Sequence, residues 1–105
     1  MGKKVYEVTA VTVEIVRKPF TIQIFAQGTT ITSGWTNPRL DPFIYINPPE
    51  NGIYEFNFIA DEPTGIVPQV ITKIEASLLW EHYPTDLKGV KIHAETNSMV
   101  GMLKV

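Results

Sequence analysis

The chain contains no cysteine, which excludes disulfides and thiolate metal sites. It has only two histidines, His82 and His93, so acid–base and nucleophilic chemistry has few groups to draw on. There is no surplus of positive charge. Lysine and arginine number 9 against 11 aspartates and glutamates, a formal net charge of -2 spread along the chain. Without a basic stripe to draw a phosphate backbone, no nucleic-acid partner is expected. No apolar run approaches the ~20 residues of a membrane-spanning helix, and no membrane partner is expected. The N-terminal MGKKVYEV alternates at once after its two lysines and lacks the apolar core of a signal peptide. A leader removed before Met1-Gly2 would read the same way, so the compartment is left unassigned.

At 105 residues, the chain fits a single domain, 1–105, large enough to bury roughly two-thirds of its unfolded surface. Its clearest stretch is Phe43–Ala60. Two runs there, Phe43–Asn47 and Ile53–Ala60, alternate with the two-residue period of a strand, around Pro48-Pro49-Glu50-Asn51-Gly52. Asn-Gly supplies the positive φ angles of a tight reversal, so the stretch predicts a β-hairpin. On its second strand Tyr54, Phe56 and Phe58 share one face, as expected of a sheet pressed on another sheet.

The rest reads similarly. Lys4–Arg17 predicts one long strand, with a bulge or bend near Ala10-Val11 where the inward parity changes. Lys18-Pro19 is a break, and Phe20–Gln27 alternates again. Gly28 opens a short or edge strand, Thr29–Ser33. Gly34–Pro42 and Asp61–Gln69 are rich in proline and glycine and read as loops. Val70–Tyr83 fits a strand better than a helix over Thr72–His82, because charged residues alternate strictly with apolar ones. Pro84-Thr85-Asp86 is a turn, Val90–Thr96 a strand, Asn97-Ser98 a second turn and Met99–Val105 a final strand. The expected fold is therefore all-β: an antiparallel β-sandwich of immunoglobulin-like size with about seven to eight strands. A small closed barrel is the alternative.

No catalytic constellation is visible: there is no nucleophile elbow, phosphate-binding glycine loop or dinucleotide fingerprint. His93, between Lys91 and Glu95, is expected to face solvent, and His82 to be partly buried and hydrogen-bonded at a strand end. His93 with Glu95 makes half a metal site at most, and Asp41, Asp61 and Glu62 lack the spacing of a calcium loop. No cofactor and no metal is expected.

The candidate binding residues are Trp35, Asn37, Arg39 and Asp41, in the segment Gly34–Pro42. Tryptophan and arginine are enriched at interface hot spots, and prolines pre-order a loop. The competing structural reading has Trp35 plugging one end of the sandwich and Arg39 paired with Asp41 or a carbonyl. Asn37-Pro38 is similar to the opening of the Asn-Pro-Thr-Thr-Gly loop of chagasin-type inhibitors of papain-like proteases, which are immunoglobulin-like domains of comparable length. The match stops at those two residues, and the family's other two loops have no counterpart. The expected function is a non-enzymatic binding or accessory module whose partner is a protein or peptide. The alternatives are an inhibitor-like wedge of loops and a carbohydrate or small-molecule binder using exposed aromatics. A bare strand edge would also allow pairing with a second copy.

Overall fold

The computed structural model describes residues 2–16 and 20–103. The break expected at Lys18-Pro19, the end of the first predicted strand at Arg17 and the last two residues of the final strand, Lys104 and Val105, lie outside them. Eight strands form two sheets packed face to face, with no helix among the described residues. They are β1 (Gly2–Lys4), β2 (Glu7–Ile15), β3 (Thr21–Thr30), β4 (Thr36–Pro42), β5 (Ile53–Asp61), β6 (Thr72–Glu81), β7 (Gly89–His93) and β8 (Ser98–Met102). One sheet is β2-β3-β6; the other contains β4, β5, β7 and β8, with β1 added alongside β5. Strand β7 takes the side of β5 over Ile53–Asn57, and β1 continues on that side over Ile59–Asp61, while β4 occupies the opposite side.

The sandwich is not wholly antiparallel. β5 and β7 run parallel, Ile53 opposite Gly89 and Asn57 opposite His93, because β6, which joins them, lies in the other sheet. Such a crossover between neighbours is invisible to periodicity, which reports faces and not directions.

The first predicted strand is two strands. Val5 donates its N–H to Phe58 O in one sheet, and the next residue, Tyr6, donates to Thr29 O in the other. The chain thus changes sheets at Val5-Tyr6, and the β2–β3 register slips separately between Val8 and Ala10, one residue before the expected bend. Gly28 does not open a new strand but lies inside β3, opposite Val8 at this bulge.

The predicted hairpin exists with its first arm displaced. The partner of β5 is β4, from the segment read as a loop, and Pro42 stands opposite Phe56. The prolines are tolerated because β4 is an edge strand. Phe43 N–H donates to Glu55 O, so the adjacent Pro42 turns its missing donor away from β5. Pro38 falls in the register slip between Thr36 and Arg39, where Asn37 adopts φ 53°, a conformation asparagine accepts more readily than most residues. Beyond Phe43 the chain leaves the sheet. The expected strand Phe43–Asn47 is absent because Tyr45 folds back and its hydroxyl accepts the N–H of Glu55 at 2.9 Å, in place of a backbone carbonyl. Asn51-Gly52 does make the turn, with Gly52 at φ 72° and Asn51 Oδ1 accepting the N–H of Ile53 at 3.0 Å.

The core follows the expected faces. Phe56, Phe58 and Ala60 of β5 are buried against Ile22, Ile24 and Ala26 of β3, Ile74 and Ala76 of β6 and Val90 and Ile92 of β7. Trp80 closes one end, its ring edge-to-face with Tyr54 at 5.7 Å and Phe56 at 5.5 Å between centroids. Such pairs add about 0.5–1.5 kcal/mol each beyond the area they bury.

Candidate functional site: an aromatic cleft at one end of the sandwich

The sheet change at Val5-Tyr6, the β3–β4 connection and the β5–β6 connection meet at the end of the sandwich opposite Asn51-Gly52. Between them lies an open cleft of about 420 Å³ lined by Lys3, Lys4, Tyr6, Ile31, Trp35, Glu62 and Glu95. Trp35 is half-buried and packs on the core, with its indole Nε1–H donated to Thr32 Oγ1 at 2.9 Å. Thr30 Oγ1 in turn donates to Thr32 O at 2.8 Å, so the ring is held at a fixed angle. Tyr6 and Ile31 are exposed at 41% and 47%, and give the cleft apolar walls. The rim carries both signs of charge. Lys3 Nζ meets Glu62 Oε1 at 3.0 Å, an exposed ion pair of the kind that contributes little to stability. The β5–β6 connection is fixed beside it: Ser33 N–H donates to Pro68 O at 3.4 Å. That connection exposes Ile66 completely, and Val70 and Ile71 by more than half.

The four residues expected to bind do not come together. Trp35 alone reaches the cleft. Asn37 and Arg39 lie on the outer face of the β4–β5 pair and close on Asp61, which the Thr36–Asp61 register brings alongside. Arg39 Nη1 donates to Asp61 Oδ1 at 3.1 Å and to Asn37 O at 2.9 Å, and Asn37 Nδ2 donates to Asp61 Oδ2 at 3.4 Å. The partner of Arg39 is thus Asp61 and not Asp41, with the expected carbonyl supplied by Asn37. The hydrogen bond from Arg39 holds the Asp61 carboxyl below its ordinary value, against a smaller opposing effect of desolvation. Asp41 stands further along β4, exposed, opposite Asn57.

Both histidines depart from expectation. His93 is half-buried. Its ring stacks on Phe43 at 5.3 Å between centroids, and its Nε2 lies 2.7 Å from Glu55 Oε1. Phe43, the last residue whose backbone bonds to β5 before the chain departs, is what covers it. His82 is exposed, because the chain reverses there with φ 55° and turns the side chain to solvent. At the same end the Tyr54 hydroxyl donates to Asp86 Oδ1 at 3.0 Å; burial first, and then that bond, raises its pKa. Among the described residues no three histidine, aspartate or glutamate side chains converge as metal ligands.

Tyr6, like Trp35, is one of the aromatics that the carbohydrate or small-molecule alternative uses as stacking platforms, whereas nothing in the sequence joins Lys3, Lys4, Ile31, Glu62 and Glu95 to them. They come from four separated segments, and only the sheet change and the crossover bring them together. Ile31 carries one local hint, an isoleucine among threonines three residues before Gly34. Comparison with protein-family models, curated proteins and solved structures found no match.

Proposed function

We propose that the chain is a non-enzymatic binding module, a β-sandwich of immunoglobulin-like size that takes a protein or peptide segment in the Trp35 cleft. The observation that carries this reading is the juxtaposition of a fixed tryptophan with exposed Tyr6 and Ile31 between Lys3, Lys4 and Glu62, Glu95. Rigid aromatics inside a polar rim make up the anatomy of interface hot spots. The fully exposed Ile66 and the neighbouring Val70 and Ile71 extend the apolar surface beyond what a small ligand would cover. The inhibitor-like alternative needs residues 34–42 to project as a wedge, and most of them are strand β4.

Selection from a displayed library of random linear peptides tests the proposal. Enriched peptides should lose at least tenfold in affinity on Trp35→Ala and on Tyr6→Ser, with both variants still folded by circular dichroism. Enriched peptides that bind both variants as well as the parent would place the site elsewhere. A cleft of this volume also falls in the range of small-ligand sites, which supports a carbohydrate or other small molecule as a second reading. A glycan array probed with the parent and with Trp35→Ala addresses it: signals that vanish in the variant favour it, and a blank array removes it.

A further inference from the structure

The strand edges of this sandwich are treated unequally. The free side of β2 is covered: Asn97 Oδ1 accepts the N–H of Val8 at 2.9 Å, Asn97 Nδ2 donates to Val8 O at 2.8 Å, and Gly101 of β8 packs against Val11. The edge of β4 is blunted by Pro38, Pro42 and a register slip. β4 of the other sheet passes close alongside β6, yet β6 itself has no proline, no slip and, among the described residues, no side-chain cap on its free backbone groups. It is ten residues long. Among the described residues no backbone group outside β3 bonds to it.

The direction of its free groups can be worked out. Tyr6 and Val16 donate to the carbonyls of Thr29 and Thr21, so odd-numbered residues of β3 turn to β2 and even-numbered ones to β6. Through the register Ile22–Trp80 to Thr30–Thr72, the even residues of β6 bond to β3. Lys73, Glu75, Ser77, Leu79 and Glu81 therefore present both N–H and C=O to the open edge, and their side chains lie on the outer face.

We infer that β6 is a self-association edge, on which a second copy of this chain adds its own β6 antiparallel about a two-fold axis at Ser77. That axis alone matches the five outward residues entirely with one another: Lys73 with Glu81, Glu75 with Leu79, and Ser77 with itself. Every free backbone group of the edge then finds a partner, and opposite charges meet at both ends of the ladder. Neighbouring axes do worse. At Glu75 two carboxylates face each other directly, and at Leu78 Glu75 meets Glu81 twice. On the inner face Ile74 meets Trp80 and Ala76 meets Leu78, which continues the apolar layer across the join. A long, straight edge whose backbone groups are unpaired can add a strand from another chain, and its charges decide which chain is accepted. The Lys73–Glu81 match selects the same chain as that partner.

Sedimentation equilibrium from micromolar to millimolar protein tests the inference. The parent should show a monomer–dimer equilibrium. Lys73→Glu and Glu81→Lys should each weaken it by roughly tenfold or more, since each turns two attractive cross-strand pairs into repulsive ones. The double exchange Lys73→Glu with Glu81→Lys should restore the dimer. Ser77→Pro should abolish it while leaving the monomer folded, because the lost N–H is one that β3 does not use. A parent that stays monomeric throughout, a dimer indifferent to Ser77→Pro, or a charge exchange that fails to rescue would each overturn it.

Discussion

Substituting Gly28 by alanine places a methyl carbon 2.2 Å from the carbonyl oxygen of Glu7 and 3.2 Å from Phe58 Cε2. The first distance is far inside any real contact, and the opposing atom belongs to the backbone where the chain has just crossed between sheets. No side-chain rotation relieves it, so either β2 lifts from β3 or the bulge beside Val8 opens. Overpacking of a tight site costs about 1–3 kcal/mol, and a rigid backbone opponent puts this one at the upper end. The smaller unfolded-state entropy of alanine returns about 0.4–1 kcal/mol. A net loss of about 2 kcal/mol should lower the melting temperature by about 8 °C for a domain of this size. The measurement is a thermal melt followed by circular dichroism, with Gly65→Ala as the comparison. Gly65 has φ 82° and nothing within 4 Å of an added Cβ, so that variant meets only the left-handed backbone cost of about 1–2 kcal/mol, offset in the same way. A Gly28→Ala melt that falls no further than the Gly65→Ala melt would refute the tight crossing.

Trp35→Ala should cost about 2 kcal/mol, below the 3–5 kcal/mol of a fully buried tryptophan, because one side of the ring faces the cleft; urea unfolding measures it, and a cost under ~0.5 kcal/mol would deny the packing. Tyr45→Phe should cost about 1–2 kcal/mol by leaving the Glu55 N–H without its acceptor, and amide exchange at Glu55 should quicken. Asp61 is held ionised by Arg39, so its folded-state pKa lies below its unfolded one. Its contribution is present above the unfolded value near ~3.9 and is lost as pH falls through the folded value. Melting temperature should therefore drop more steeply below about pH 4 in the parent than in Arg39→Gln, and parallel acid limbs would contradict the pairing.

Alternation in the sequence located β5, β6 and β7 and their inward faces, because each buries one side chain in two against a single core. Phe56, Phe58, Ile74, Val90 and Ile92 could be placed from spacing alone. It failed at β4, where prolines interrupt an edge strand. Pro38 and Pro42 make β4 read as a loop, yet an edge strand can spare every second N–H. Phe43–Asn47 alternated convincingly, and Ile44 and Ile46 are nonetheless almost wholly exposed, because Tyr45 is inserted as a prop while its neighbours point to water. The direction of β7 and the sheet change at Val5-Tyr6 leave no local trace. The cleft depends on both, so Trp35 and Tyr6 are legible as separate aromatics, while their meeting and the charged rim around them are not.

The parallel placement of β5 beside β7 bears on the order in which the chain can assemble. The β2–β3 and β4–β5 pairs join neighbouring segments and close small loops. Ile53 meets Gly89 only across the long excursion through β6, and Gly2 reaches Asp61 across more than half the chain. Closure of such distant contacts carries most of the entropic barrier, and sandwiches dominated by them fold on the order of milliseconds to seconds. Pulse-labelled amide exchange should find the N–H groups of Ile24 and Leu78 protected early, and those of Val5 and Ile92 last. Protection of Val5 in the first phase would reverse this order. The N-terminal segment then acts as a latch, stitched to one sheet at Val5 and to the other at Tyr6, and it closes only after both sheets exist.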